Sequence, residues 1–326
     1  MQKAILRAFE YFNIFFYPIS FEELYQYLGI KISKKRLKLE LKQLITKKAV
    51  FYRHGLYTLG EYSKGKLEIP ASRGERNSKF EISQEKLNNW RFRAYLKLIS
   101  LFPQIKLVGL SGSISMMNAK ENDDIDLFII TAKNRLFTGR FIAMVLAQLT
   151  GLRRRRQLAK LDTVSNKVCL NLFFDETKLN IPKFKKNYYI AHEIIQMKPL
   201  INKNNVYELF LYSNRWVCDI FPNSRPQRHP HDPQRHPHED GDPEHGFPIR
   251  SGMTPQLSSP SSQLSSPWKR GSSRASDFIE LILKKIQLSV INRHKTNELI
   301  TNKQLWFFPD DFENRLPKFA RKKYNA

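Results

Sequence analysis

Apolar positions along this chain alternate between helical and strand spacing, and the points where the period changes mark its elements. Ile5, Leu6, Phe9 and Phe12 recur at helical spacing, predicting an amphipathic helix over residues 2–15. Ser20-Phe21-Glu22-Glu23 has the form of a capping box, in which Ser20 caps the helix and Glu23 reaches back to it. It opens a short helix ending at Gly29. Ser33 opens another over 34–47, with Leu37, Leu41, Leu44 and Ile45 on one face and Lys34, Lys35, Lys38 and Lys42 on the other. Two short β-type runs follow, Val50–Arg53 and Leu56–Leu59, joined by His54-Gly55, a hairpin-turn pair.

A polar stretch over 61–78 reads as a linker. A helix is then predicted from Ser83 through Leu87, Trp90, Tyr95 and Leu98 to about Leu101. Runs at 106–110, 124–131 and 167–174 have the apolar character of buried strands, the second carrying Asp124 and Asp126. Between the second and third, Phe141, Val145 and Leu149 mark a helix over 135–148. Residues 188–197 read as a helix broken at Lys198-Pro199. Leu209, Tyr212, Trp216 and Ile220 place another over 206–221, and Phe278, Leu281, Ile282, Ile286 and Val290 another over 277–291. His192 and Glu193 are adjacent, hence about 100° apart on a helix, so they cannot both serve one inward site; neither is assigned a role. Trp306-Phe307-Phe308 reads as a segment that docks on the core.

Between 222 and 276 the composition turns to Pro, His, Ser and charge, including five of the eight histidines (His229, His231, His236, His238 and His245). Such a stretch cannot bury enough apolar surface to order itself. It reads as an inserted repetitive element, in preference to a metal-binding tract. The expected division is 1–61, a linker at 62–82, a core at 83–186, a helical region at 187–222 and 276–326, and a low-complexity insert at 223–275.

Charge narrows the choice of partner. The 326 residues carry 55 Lys plus Arg against 30 Asp plus Glu, a net charge of +25, which favours a polyanion such as nucleic acid or nucleotide phosphate. Two cysteines, Cys169 and Cys218, make neither a disulfide framework nor a metal cluster. With no secretory leader pattern and no apolar run long enough to span a bilayer, the expectation is a cytoplasmic protein with no membrane partner. Oligomeric state is not legible.

The candidate chemistry lies in 108–131, VGLSGSISMMNAKENDDIDLFIIT. Asp124 and Asp126 stand two apart at a buried strand, so their carboxylates share a face. Burying an unpaired carboxylate costs several kcal/mol or more, and a cation or basic partner is the usual remedy. Gly112-Ser113 follows a strand and precedes a helical turn, a placement that aims backbone N–H groups at an anion. Ser113 precedes Asp124 by eleven positions.

Together, Gly112-Ser113 and Asp123-Asp124-Ile125-Asp126-Leu127 resemble the Gly-Ser…Asp-x-Asp signature of the polymerase-β-like nucleotidyltransferase superfamily, over about residues 105–176. The order and lengths of the elements over 1–61 are similar to a winged-helix domain. These resemblances imply an α+β fold: a mixed-sheet nucleotidyltransferase core with flanking helices, preceded by a winged helix and followed by a helical domain. They also imply Mg²⁺ held by Asp124 and Asp126, NTP as substrate with its phosphates on Gly112 and Ser113, and transfer of a nucleoside monophosphate to an acceptor hydroxyl. The 34–47 helix would enter a major groove. The alternative is a non-catalytic winged-helix DNA-binding regulator whose transferase domain has decayed to a nucleotide sensor.

Departures from the family pattern bear on that choice. Ser115, Met116 and Met117 stand where a small residue, Arg and Gly are common, and Asn171 stands where a third carboxylate is expected. Asn cannot supply charge or act as a base. Asp175, with Glu176 beside it, is the candidate substitute; a solvated strand end is the other reading. Arg153, Arg154, Arg155 and Arg156 either complement the dipole of the helix before them or bind triphosphate or nucleic acid.

Overall fold

The protein is described from a computed structural model covering residues 1–59, 61–63, 66–68, 73–153, 166–224, 271–293, 298–307 and 316–321. It is an α+β structure with a six-stranded mixed sheet and a small three-stranded antiparallel one.

The N-terminal elements run α1 (Gln2–Ile14), β1 (Ile19–Ser20), α2 (Phe21–Gln26), α3 (Lys34–Thr46), β2 (Val50–Arg53) and β3 (Leu56–Leu59). β3 lies between β1 and β2, antiparallel to both. The capping box forms at Ser20: the Glu23 N–H donates to Ser20 Oγ at 3.3 Å, and the Ser20 N–H donates to Glu23 Oε2 at 2.8 Å. His54 and Gly55 turn the hairpin with φ of +50° and +84°, the two positive dihedrals of a type I′ turn. Ile5, Phe9 and Phe12 of α1 meet Leu37, Leu41 and Leu44 of α3 in the core.

The next residues differ from a plain linker. β4 (Glu61–Ser63) and β5 (Lys66–Glu68) form a separate hairpin, and α4 (Arg73–Asn88) begins well before Ser83. The single helix expected over 83–101 is two, because Asn89 leaves the helical conformation and its side chain accepts from the Arg91 N–H at 2.9 Å, capping α5 (Trp90–Ser100).

β6 (Ile105–Leu110), α6 (Gly112–Ser115), β7 (Ile125–Thr131), α7 (Leu136–Leu149), β8 (Val168–Asp175), α8 (Tyr188–Gln196), β9 (Lys198–Asn202), α9 (Val206–Ser213) and α10 (Val217–Ile220) follow, then α11 (Gly271–Arg293), β10 (Leu299–Ile300), β11 (Gln304–Trp306) and α12 (Lys318–Arg321). The large sheet has the order β10-β11-β8-β7-β6-β9; only β7 and β8 are parallel.

Three of these strands lie in segments expected to be helical. β9 contains Pro199, which marks a helix end in the sequence but is tolerated in an edge strand, where a missing N–H leaves no ladder bond broken. β10 and β11 are too short for period-2 alternation to be read. The helix expected over 206–221 is divided at Asn214, whose buried amide accepts from the Ile181 N–H and donates to Leu179 and Phe210 carbonyls.

The sheet is covered on both faces. On one, Leu107, Phe128, Ile130 and Phe174 pack with α8, α9, α10 and α12 in a cluster continuous with the N-terminal core. On the other, Val108, Leu110, Ile125, Leu127, Ile129 and Phe173 pack against α5 and α7. α11 lies on α7, with the buried Gln287 accepting from Arg140 and donating to the Phe137 carbonyl. The helices flanking the insert therefore do not form one bundle; α10 and α11 lie on opposite sides of the sheet.

Polar clamps also tie the N-terminal elements to the core. Asn118 Nδ2 donates to the Phe15 carbonyl, and Arg76 donates to the Pro18 carbonyl and to Tyr17 Oη. Asn223 bridges Ile30 and Ile32.

Candidate functional site

The chain leaves β6 at Leu110, turns through Ser111 and Gly112, and enters the single turn of α6. The Ser111 N–H donates to the Asp126 carbonyl at 3.0 Å, holding this turn against the start of β7. Gly112 has φ +66°, and a Cβ placed there would run into Asp126 Oδ2. Both conditions favour glycine: the left-handed region costs an L side chain energy, and the carboxylate occupies the space one would need. Gly112 and Asp126, far apart in sequence, are thus in contact. α6 is too short to carry a substantial macrodipole, so only local N–H groups are there to attract an anion.

Asp124 directly precedes β7 and Asp126 lies within it, both half-buried. The loop before them is fixed from two sides. Asp123 Oδ2 accepts from Ser113 Oγ at 2.8 Å and from the Lys120 N–H at 3.0 Å. Lys86 Nζ, from α4, donates to the Glu121 and Asp123 carbonyls and to Asn166 Oδ1 at 2.7, 2.8 and 3.3 Å. Burial lowers the Lys86 pKa, while the charges of Asp123 and Asp124 oppose that shift. The Ser113 hydroxyl, expected to hold phosphate, is committed to Asp123.

Asp175 is not brought to this site. In the parallel β7–β8 register Asp126 lies opposite Cys169 and Thr131 opposite Asp175. Six residues of strand, roughly 20 Å, separate Asp175 from the partner of Asp126. The strict alternation that would put it on the same face as Asn171 is also broken. Between Asp126↔Cys169 and Phe128↔Leu172 the register shifts, giving β8 one residue more than β7 and placing Asn171 in the bulge.

Asp175 is wholly buried and does structural work at the other end of the sheet. It accepts from the Asn134 N–H at 2.6 Å and from the Thr177 N–H and Oγ1 at 2.9 and 2.5 Å, and it pairs with Lys303 Nζ at 3.3 Å. The reading of Asp175 as a substitute catalytic acid is corrected accordingly.

A third carboxylate does reach the site, from α8. Glu193 has its pKa raised to about 7, first by burial and then by the charge of Asp126; the Gly112 N–H and the Gln196 side chain favour its ionised form. Gln196 Nε2 donates to Glu193 Oε1 at 2.6 Å.

The 100° between His192 and Glu193 now has a structural meaning, because α8 turns them to different neighbours. His192 is buried in a cage, stacked on Tyr11 and Tyr27 at centroid distances of 3.9 and 4.6 Å and edge-on to Phe12 and Phe221. Neither ring nitrogen has a hydrogen-bond partner among the described residues, unlike the hydrogen-bonded core histidine usual at such positions. Burial holds its pKa well below the ordinary value, keeping the ring neutral. In sequence Glu193 gave only its place on a helix following the strands; no spacing linked it to Asp126.

Among the described residues no group of three or more His, Cys, Asp or Glu is arranged to hold a metal ion. Mg²⁺, however, commonly takes only one or two protein carboxylates and completes its shell with water and substrate phosphates. Asp124 and Asp126, beside the Gly112 cradle, fit that donor set.

Arg153 lies at the same end of the sheet as the aspartates, its backbone bridged to Val168 at the start of β8; Arg154, Arg155 and Arg156 lie outside the described residues. The lysines of α3 are exposed. Lys34 pairs with Glu22 at 2.7 Å and Lys38 lies over the Phe21 ring.

No protein-family profile, curated protein or solved structure matches this chain. No helix among the described residues is long and apolar enough to cross a membrane.

Proposed function

We propose that the chain is a Mg²⁺-dependent nucleotidyltransferase that moves a nucleoside monophosphate from NTP to an acceptor hydroxyl. The observation that carries this reading is the contact between Gly112, held at positive φ, and the carboxylate of Asp126. It joins a small-residue turn suited to phosphate with a pair of aspartates suited to a divalent cation. Bound there, Mg²⁺ would neutralise phosphate charge and orient the triphosphate. Asp124 and Asp126 would anchor it, and the backbone of the Gly112 turn would lie against the β and γ phosphates. The acceptor hydroxyl would give up its proton to solvent as its oxygen forms the new bond to the α-phosphorus, the bond to the bridging oxygen breaks, and pyrophosphate leaves.

The N-terminal unit is proposed as a winged helix whose α3 presents Lys35, Lys38 and Lys42 to nucleic-acid phosphates. The second reading, a DNA-binding regulator that senses nucleotide without turnover, is favoured by Asn171 in the β8 bulge and by the structural commitment of Asp175.

Incubation with radiolabelled NTPs, Mg²⁺ and cell extract, comparing wild type with Asp124→Ala/Asp126→Ala, distinguishes the two. The enzyme transfers label only when both aspartates are present. A sensor binds nucleotide without transfer, and absence of nucleotide binding by the wild type refutes both.

A further inference from the structure

α4 carries a row of polar side chains, Arg76, Lys79, Ser83 and Lys86, spaced three or four residues apart and so on one face of the helix. Toward its start, Arg76 donates to the Pro18 carbonyl at 2.8 Å and pairs with Glu23 at 3.4 Å, and Lys79 donates to the Phe16 carbonyl at 3.4 Å. One turn on, Ser83 Oγ accepts from the Ala119 N–H at 3.0 Å. In the last turn the Lys86 ammonium donates to the Glu121 and Asp123 carbonyls and to Asn166 Oδ1. α4 is thus a polar strut. One end is fixed to the N-terminal unit, and the other holds residues 119–123, the loop that runs into Asp124. Through Asn166 the same ammonium also reaches the entry to β8.

Lysine is a costly choice of anchor. Lys86 is 4% exposed, and its three acceptors are neutral oxygens. Burying an ammonium costs several kcal/mol even after relaxation, whereas the Ser83 hydroxyl holds the Ala119 N–H with no charge at all. The use of the charge lies in its surroundings. Of the carboxylates acting on Lys86, those of Asp123 and Asp124 act most strongly. Asp126 follows two residues on, with Glu193 acting on it in turn. Without a bound cation these carboxylates repel one another and so strain the loop that carries them. A fixed positive charge bonded to that loop's own carbonyls opposes its displacement.

We infer that Lys86 is a positioning residue of the proposed metal–nucleotide site: it holds the loop that presents Asp124 in its metal-binding place before any cation arrives. The inference rests on the nucleotidyltransferase reading of that site. Lys86 acts through the backbone of Glu121 and Asp123, which its ammonium holds directly. A loop already in place leaves Mg²⁺ and NTP nothing to order. A loop correctly placed only about a tenth of the time would weaken their apparent affinity about tenfold.

The test combines isothermal titration of the full chain with ATP and Mg²⁺ and hydrogen exchange at the Ala119, Lys120 and Asp123 amides, each of which is hydrogen-bonded in the loop. In the wild type these amides should be protected without ligand and change little when Mg·ATP is added. Lys86→Met, which fills similar space with neither charge nor donor, should lose that protection and bind Mg·ATP about tenfold more weakly, or about 1.4 kcal/mol. Saturating Mg·ATP should restore its protection. Lys86→Arg, which keeps a donor cation, should recover most of both quantities. Wild-type amides that stay unprotected until Mg·ATP is added overturn the inference without recourse to any variant. So does wild-type affinity in Lys86→Met despite a loosened loop, which would make Lys86 a structural anchor only, or an arginine variant as impaired as the methionine one. Failure of the underlying reading looks different: the wild type then binds no Mg·ATP at all, and the inference falls with it.

Discussion

Replacing Gly112 by alanine tests the centre of the site with a single methyl group. Two costs follow from its geometry. A φ of +66° disfavours any L side chain by about 1–2 kcal/mol. The added Cβ also meets Asp126 Oδ2, and moving that carboxylate off its rotamer adds about 1 kcal/mol. The sum, about 2–3 kcal/mol, should lower the melting temperature by roughly 5–10 °C, by the scaling of 2–4 °C per kcal/mol for chains of this order. Because the displaced group is the proposed metal ligand, Mg·NTP affinity should fall at least about tenfold, or about 1.4 kcal/mol.

A double-mutant cycle separates the two costs. In Gly112→Ala/Asp126→Ala the clash is relieved but the backbone cost stays, so the pair should show a coupling of about 1 kcal/mol. Calorimetric melting and isothermal titration with ATP and Mg²⁺ measure both quantities. If Gly112→Ala melts and binds as the wild type does, or if the two substitutions are strictly additive, the Gly112–Asp126 contact is not the basis of the site.

Two further outcomes follow from the other carboxylates. Asp175→Ala removes the acceptor of two backbone N–H groups and a hydroxyl and leaves Lys303 unpaired. Denaturant titration should show a loss of about 3 kcal/mol, while nucleotide affinity of the folded variant is unchanged; lost affinity at full stability would return Asp175 to the site. Glu193 binds its proton more tightly folded, with a pKa of about 7, than unfolded, near 4.3. Its contribution to stability is fully present below the unfolded value and is lost as pH rises through 7. Glu193→Gln should therefore be more stable than wild type at pH 8 and lose less stability between pH 4.5 and 7, as read by denaturant melts at each pH. A wild-type stability that rises over that window faster than the variant's would refute the placement of Glu193 beside Asp126.

What the sequence determined by itself was local. The capping box at Ser20 and Glu23, the lysine face of α3, the hairpin at His54-Gly55 and the strand carrying Asp126 each depend on residues within a few positions of one another, where spacing fixes geometry. The pairing of Gly112 with Asp126 was legible only as a motif, and the structure gave it a physical basis in the space a Cβ would fill.

The rest depended on register and packing, which no local pattern records. One extra residue in β8 changed which face Asn171 and Asp175 present, and the length of that strand carried Asp175 to the opposite end of the sheet. The rotation of α8 sent His192 into an aromatic cage and Glu193 toward Asp126. Pro199, which ends a helix in sequence, became tolerable once β9 lay at an edge. Strand pairing and helix docking join residues separated by tens of positions, and their geometry is set by the shape of the whole core.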